Sequence, residues 1–341
     1  MCSAVSISGA CGQSMLVIKR SRLLPRQLRS LSTAASDRVA VHRGSDGVVT
    51  VTLSRPDKLN ALDLPMFHAI QDAARGLIAD SAGVKAVVLS GEGRGFCAGL
   101  DVRSVMHPMT AKQNMETLLQ RPEGEIGNLA QDVGYLWRRV PAPVIAAVHG
   151  VCLGGGLQIA LGADMRVAHP STKMSVMEAK WGLIPDMSAT VTLPELVPRD
   201  VAMELTLTGR VFLGDEALRL GLVTRLSDEP IDEAMRLARE IATKSPDATA
   251  AAKRLLHATY ADGCDESRAL RVESEVQKRL LGGWNMAACV ARGLGAPPLL
   301  QPGFTARAAD WSAEADEAAE AELRAMLDGV GLVDERSSAS A

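Results

Sequence analysis

A strand that runs directly into three glycines constrains this chain more than any other feature. Residues 144–148 are continuously apolar, Gly154, Gly155 and Gly156 follow, and an apolar helix is predicted over 157–162. Glycines let backbone N–H groups approach a ligand closely, and a helix N-terminus adds positive potential there. The pattern is typical of a tight strand-to-helix turn, and equally of a site for an anion or a polarised carbonyl oxygen. It lacks the GxGxxG spacing of a dinucleotide site.

A second loop of small residues follows another predicted strand. This loop, 95–101, reads Gly-Phe-Cys-Ala-Gly-Leu-Asp and comes after an apolar run at 86–89. Two such loops, following two strands of one sheet, can each donate one N–H to the same oxygen, which is the arrangement of an oxyanion hole. Each loop alone is ordinary, so the prediction depends on the pair.

The order of strands and helices predicts an α/β core with a largely parallel sheet. A hairpin around Gly47 opens the core, later strands alternate with helices, and the pattern becomes nearly all helical from residue 231 onward. The predicted strands are 39–42, 48–53, 86–89, 144–148, 165–168 and 222–226. The predicted helices are 157–162, 198–207, 214–220, 231–243, 247–260, 265–281 and 284–292, with another beginning near Pro65 and a solvated one over 306–327.

The first 36 residues differ in charge from the rest of the chain. They hold five basic residues, many serines and no acidic residue. A basic, Ser-rich leader with leucines between its arginines predicts a mitochondrial presequence over 1–36 and a location in the mitochondrial matrix, with a disordered tail as the alternative. The remainder is predicted to form an α/β core over 37–230, a helical C-terminal region over 231–295 and an Ala/Glu-rich tail over 296–341.

Composition argues against several classes of protein. A net charge of −3 with 3% aromatic residues is unlike a nucleic-acid surface, which combines basic faces with stacking rings. The sequence has no uninterrupted run of about 20 apolar residues, so no membrane-spanning helix is predicted. The cysteines have no CxxC spacing and the histidines are scattered, so neither a disulfide framework nor a metal site is predicted.

Four segments, taken together and in order, resemble the crotonase superfamily, the enoyl-CoA hydratases and isomerases. The resemblance implies a spiral of β-β-α units, a helical C-terminal trimerisation region and a homotrimer or hexamer. It also implies an acyl-CoA substrate whose thioester oxygen is held by the backbone amides of Leu100 and Gly155, with no separate cofactor because coenzyme A is part of the substrate. The segments are 55–62, 96–101, 143–156 and 208–223.

The acid and base vary within this superfamily, and here their pattern is unusual. Hydratases carry two glutamates, and this chain has Gln158 at the first of these positions and Glu178 at the second. Asp186, eight residues further on, resembles the dienoyl-CoA isomerase branch, in which a glutamate and an aspartate face opposite ends of a conjugated acyl chain. That branch normally has a third acid at position 158, and an amide there neither gives nor takes a proton.

Other residues are candidates for binding the substrate. The resemblance implies substrate contacts from Ala98 and Gln158, and the phosphates of coenzyme A require cations, for which Arg55, Lys58 and Arg103 are candidates. Each has an ordinary alternative: a packing role for the glutamine and a solvated surface charge for the cations. Asp186 likewise has the alternative of capping the helix that follows it.

The sequence therefore predicts a dienoyl-CoA isomerase of fatty-acid β-oxidation that uses Glu178 and Asp186. One alternative is an enoyl-CoA hydratase that works mainly through Glu178. The other is a non-catalytic acyl-CoA-binding protein, which the amide of Gln158 makes reasonable.

Overall fold

The computed structural model describes residues 37–260 and 264–308, within which the chain forms nine strands and twelve α-helices. The strands are β1 Val39–Arg43, β2 Val48–Leu53, β3 Ala86–Gly91, β4 Val144–Val148, β5 Val151–Leu153, β6 Met165–Ala168, β7 Lys173–Ser175, β8 Phe212–Leu213 and β9 Arg225–Leu226. The helices are α1 Leu64–Ala79, α2 Val102–Val105, α3 Ala111–Leu119, α4 Leu129–Arg139, α5 Gly155–Leu161, α6 Ala189–Leu196, α7 Arg199–Thr208, α8 Gly214–Leu220, α9 Pro230–Ala242, α10 Pro246–Tyr260, α11 Glu266–Leu280 and α12 Trp284–Gly293.

Six strands form the main sheet in the order β1-β2-β3-β4-β6-β9. The hairpin β1–β2 is antiparallel and every other pair in this sheet is parallel, with Val51 opposite Leu89 and Val88 opposite Ile145. All residues of β3 and β4 are buried, as expected for parallel strands covered by helices on both faces. The predicted α/β core with a largely parallel sheet is confirmed.

Three short strands form a second sheet in the order β5-β7-β8. Each of β4 and β6 in the main sheet is followed, after a short turn, by a strand of this second sheet. The strand β5 then leads directly into α5. This repeated strand-strand-helix order agrees with the predicted spiral of β-β-α units. The glycine turn at 154–156 lies at the junction between the second sheet and α5, so the second sheet positions the site.

Helix α9 covers one face of the main sheet through its smallest side chains. Ala234, Ala238 and Ala242 lie on one side of the helix at intervals of four residues and are buried against the sheet. Small side chains allow the helix backbone to approach closely, while the larger apolar residues of the sheet fill the layer. The other face packs against α1 and α4 in the principal core.

The helices α10 to α12 are tied to the core by a buried ion pair. The ammonium group of Lys253 lies 2.7 Å from Oδ2 of Asp164 and donates to the carbonyl oxygen of Trp137 at 2.9 Å. Asp164 also accepts a hydrogen bond from the backbone N–H of Val144 at the start of β4. A buried ammonium satisfied in this way fixes α10 against the first residues of that strand.

The predictions for the two chain ends concern residues outside the described part. The presequence over 1–36 lies wholly outside it, and residues 309–341 of the predicted tail do so too. Within the described residues, none of the helices combines the length and the apolar character needed to cross a membrane.

Candidate active site

The two glycine loops found in the sequence lie against each other. Cys97 in the first loop pairs with Cys152 in β5 as a short parallel bridge, with the N–H of Leu153 donating to the carbonyl of Cys97 at 3.0 Å. Gly99 has a φ of +86°, and a Cβ on it would stand 2.6 Å from the carbonyl oxygen of Leu153 and 3.5 Å from the nitrogen of Gly155. The close contact between the two loops therefore requires glycine at position 99.

Two backbone N–H groups at this junction are left free by the protein. Within residues 37–260 and 264–308, the nitrogens of Leu100 and Gly155 donate to no protein acceptor, although Gly154 donates to the carbonyl of Ser175 at 2.9 Å. Gly155 is free because it begins α5, where the first N–H groups have no intrahelical partner. Both N–H groups are thus available to an external oxygen, which is what the oxyanion-hole hypothesis requires.

Asn60 holds the first loop in place, and the sequence analysis did not single it out. Its side chain is fully buried, its Nδ2 donates to the carbonyl oxygens of Glu92, Gly95 and Phe96, and its φ is +57°. Asparagine tolerates this left-handed backbone better than most residues, and its amide has two donor hydrogens. The available signal was an Asn between two loop-forming segments, which is too common to identify this role.

Glu178 lies beside the second loop, at the start of the 3-10 turn Glu178–Trp181. The residue is 8% exposed, and a Cβ on Gly154 would stand 3.4 Å from its Oε1. Burial raises the pKa of its carboxyl group; the hydrogen bond from Gln158 opposes this increase, and the charge of Asp186 adds to it. Its Oε2 is buried and has no hydrogen-bond partner within the described ranges.

Gln158 lies on α5 and is 1% exposed. Its Nε2 donates to Oε1 of Glu178 at 2.6 Å, and its Oε1 accepts from the backbone N–H groups of Met187 at 2.8 Å and Ala189 at 3.3 Å. The amide predicted to contact substrate is therefore engaged by protein groups at both ends.

Asp186 lies on the segment that leads from the 3-10 turn to α6. The residue is exposed, and the protein around its carboxyl group still removes enough water to raise the pKa of that group. Helix α6 has Ser188 as its N-cap residue, and among the described residues the N–H of Ala189, which begins the helix, bonds to the side chain of Gln158 and not to that of Asp186. The capping alternative for Asp186 is therefore not what the structure has. The next side chain, Met187, packs against Gly155, where an added Cβ would stand 2.6 Å from its sulfur.

The three candidate cations differ in how far they are committed to protein groups. The guanidinium of Arg55 lies 2.8 Å from Oδ2 of Asp101, 2.9 Å from the carbonyl of Ala61 and 3.5 Å from Oδ2 of Asp63. Although burial acts in the opposite direction, the hydrogen bond from Arg55 lowers the pKa of Asp101.

The other two candidate cations are exposed. Lys58 and Arg103 are both exposed, and in the sequence one precedes and the other follows the first loop. Ala98, the remaining substrate-contact candidate, lies in that loop and donates its N–H to the carbonyl of Leu59 at 2.9 Å.

The first loop also carries a thiol. Cys97 is fully buried, its sulfur lies 3.1 Å from the carbonyl of Asn60, and burial raises the pKa of the thiol to about 12. Among the residues that the structure covers, no group of three His, Cys, Asp or Glu side chains is arranged to hold a metal ion.

Comparisons with known proteins agree with this fold. The family model described as enoyl-CoA hydratase/isomerase matches residues 43–282. The short-chain-enoyl-CoA hydratase of Clostridium acetobutylicum is 33% identical over 234 residues, which are 67% of this chain and 84% of that protein. The mitochondrial Delta(3,5)-Delta(2,4)-dienoyl-CoA isomerase of Rattus norvegicus is 30% identical over 269 residues, covering 70% of this chain and 79% of that protein.

Solved structures give the same result. The enoyl-CoA hydratase from Mycobacterium tuberculosis H37Rv superimposes with a TM-score of 0.66 at 28% identity, covering 79% of this chain and 98% of that one. The chain belongs to the enoyl-CoA hydratase/isomerase family. It is accordingly an acyl-CoA enzyme of the crotonase superfamily.

Proposed function

We propose that the protein isomerises dienoyl-CoA esters by moving a proton along the conjugated acyl chain. The observation that carries the proposal is that Gln158 bonds both to Glu178 and to the N–H of Met187, the residue after Asp186, so the two carboxyl groups lie on neighbouring segments. Position 158, between them in the fold, is occupied by an amide. The Rattus norvegicus isomerase among the relatives supports the same branch of the family.

The reaction creates negative charge that the two free N–H groups can hold. When a proton leaves the carbon next to a thioester carbonyl, the electrons move onto the carbonyl oxygen and form an enolate. We assign the backbone N–H groups of Leu100 and Gly155 to this oxygen. In other enzymes, each donor of this kind lowers the barrier by about 3 to 4 kcal/mol. Because backbone amides do this work, an apolar side chain at position 100 is no obstacle.

Two carboxyl groups divide the proton transfer. One, as a carboxylate, removes the proton next to the carbonyl, and the other, as a carboxylic acid, delivers a proton at the far end of the diene. The substrate gains and loses one proton, so the pair ends the turnover with its proton on the other group. Burial raises the pKa of both groups, and the charge of Asp186 adds to the increase at Glu178, which favours a protonated carboxyl group over a carboxylate.

A hydratase that works mainly through Glu178 is the second candidate. It is favoured by the buried Oε2 of Glu178, which has no hydrogen-bond partner among the residues that the structure describes and could exchange a proton with water or substrate without Asp186. The Clostridium acetobutylicum hydratase at 33% identity is consistent with it. The two candidates differ in whether Asp186 is needed.

Absorption spectroscopy distinguishes the two reactions. The purified enzyme is given a 3,5-dienoyl-CoA in one assay and a 2-enoyl-CoA in another. We expect the first substrate to show the shift in ultraviolet absorption that follows conjugation of the diene with the thioester. Loss of the enoyl band in the second assay, with no shift in the first, would instead identify a hydratase.

We further propose that the enzyme serves fatty-acid β-oxidation in the mitochondrial matrix as a trimer or hexamer. The basic, acid-free leader supports the location, and the family resemblance supports the assembly. Large apolar side chains on α11 and α12, among them Leu270, Trp284 and Val290, are exposed in the single chain and would be buried between subunits. Light scattering on the purified protein and microscopy of a fluorescent fusion test the two points separately.

A further inference from the structure

We propose that Gln158 is a positioning residue for Glu178, fixing the carboxylate so that Oε2 alone is presented to the substrate. The inference rests on the proposed function, because it takes Glu178 as an acid/base group. It assigns to Gln158 a role that differs from the direct substrate contact expected from the sequence.

The hydrogen bonds around Gln158 determine the orientation of its amide. Its Oε1 accepts from the N–H groups of Met187 and Ala189, which can only donate. Nε2 is therefore turned toward Glu178, where it donates to Oε1 at 2.6 Å. Rotating the amide by 180° would place two donors against each other and an oxygen against a carboxylate. The surrounding backbone thus selects the one orientation that holds Glu178.

This contact occupies one carboxylate oxygen and leaves the other free. Oε1 of Glu178 is bound by Gln158, whereas Oε2 has no partner within residues 37–260 and 264–308 although it is buried. A buried oxygen without a partner is costly unless something else, here the substrate, supplies one. The hydrogen bond from Gln158 also favours the ionised form of Glu178, which opposes the effects of burial and of the nearby Asp186 charge.

The same amide fixes the two proposed acid/base groups relative to each other. Met187, whose N–H binds Gln158, directly follows Asp186 in the chain. Gln158 is itself 1% exposed and lies on α5, directly after the glycine turn. One neutral side chain therefore joins the turn that carries Glu178 to the segment that carries Asp186.

An amide does this better than a carboxylic acid at the same position would. An ionised carboxylate has no donor hydrogen, so at position 158 it would repel Glu178 and would have to take up a proton to restore the contact. Glutamine donates to Glu178 at every pH in the working range. It thus supplies the hydrogen bond without adding a third titratable group to the site.

The test compares Gln158→Met with a matched variant elsewhere in the fold. Gln71→Met serves as the control, because Nε2 of Gln71 on α1 donates to Oδ2 of the buried Asp132 on α4 at 2.8 Å, a hydrogen bond of the same kind that does not involve Glu178 or Asp186. Dienoyl-CoA isomerisation is measured as kcat, KM and the pH profile of kcat/KM. For Gln158→Met we expect kcat to fall about tenfold or more, KM to change little, and the rising limb of the profile to move to higher pH. Gln71→Met is expected to keep the wild-type profile.

A second variant, Gln158→Glu, decides the matter if the methionine variant does not fold. The carboxyl group introduced by Gln158→Glu can donate to Glu178 when it is protonated and cannot when it is ionised, so we expect activity at low pH and a new falling limb as the pH rises. Wild-type kcat and pH profile in folded Gln158→Met or in Gln158→Glu would overturn the proposal, provided that Glu178→Gln is inactive. Full turnover by Glu178→Gln would overturn the acid/base role of Glu178, and with it both proposals.

Discussion

The carbonyl oxygen of Leu153 lies 2.6 Å from the point where a Cβ on Gly99 would stand. Real side chains do not approach a backbone oxygen so closely, so the two loops touch only because one of them has no side chain at this point. The contact brings the turn before Leu100 next to the nitrogen of Gly155. Whatever separates these backbones also separates the two proposed donors.

Gly99→Ala is expected to lower stability and kcat by more than the cost of placing an alanine at a positive φ. Gly124 also has a positive φ, +80°, but an added Cβ there meets nothing within 4 Å, so Gly124→Ala measures the cost of the backbone alone. That cost is about 1 to 2 kcal/mol. We expect Gly99→Ala to lose more stability in urea unfolding and most of its kcat. Equal losses in the two variants would contradict the contact between the loops.

Asp186→Asn is expected to stop isomerisation while the protein still binds CoA esters. The amide of asparagine can neither remove a proton from the substrate nor deliver one to it. General acid/base groups contribute about 10²- to 10⁴-fold to rates. Turnover is followed by absorption, and binding of an unreactive acyl-CoA analogue by calorimetry. Asp200→Asn, an exposed carboxylate at the start of α7, is the control. Unchanged turnover in Asp186→Asn would reject the pairing of Glu178 with Asp186.

Glu178→Gln is expected to make the protein more stable at high pH. The pKa of Glu178 is raised on folding, so the native state binds a proton more tightly than the unfolded chain does. The stabilising contribution of this group is complete below its unfolded pKa of about 4.3 and is lost as the pH rises through the folded pKa. Urea unfolding at pH 4 and pH 8 should show a gain for the variant that is larger at pH 8. A gain confined to pH 4 would contradict the direction of the shift.

Lys58→Gln and Arg103→Gln are expected to raise KM for acyl-CoA severalfold, with kcat retained. Both side chains are exposed beside the first loop, where a phosphate can reach them, and the effect should weaken as salt is added.

Arg55→Lys is expected to act differently, because Arg55 binds Asp101 and Asp63. Its loss should reduce the free energy of unfolding by about 2 kcal/mol. If Arg55→Lys changed only KM and left the free energy of unfolding unchanged, the stabilising role expected here for Arg55 would be contradicted.

The sequence predicted the long elements and the two loops because their signals are local. Buried strands such as β4 and the glycine turn before α5 can be recognised from consecutive residues alone. The strands β7 and β8 have three and two residues, which is too short for a periodic pattern, and β9 is shorter than the predicted 222–226. Helix α4 was missed, although its capping box, Asn128 with Gln131, was a readable signal.

The partners of site residues were harder to predict than the residues themselves. Glu178 and Asp186 could be proposed from a family resemblance, but the bond between Gln158 and Glu178 joins groups 20 residues apart on different elements. Asn60 binds carbonyl groups of the 92–96 segment in the same way. Such contacts depend on how the two sheets bring the turns together, and no local pattern encodes that.

The burial of Cys97 has a consequence for an enzyme that handles thioesters. A thiolate beside such a substrate would exchange with it, taking the acyl group and releasing coenzyme A. Because burial raises the pKa of this thiol to about 12, the thiol stays in its neutral, weakly nucleophilic form at pH 7. The sulfur at the base of the first loop is thereby kept from becoming acylated by the molecule the enzyme binds.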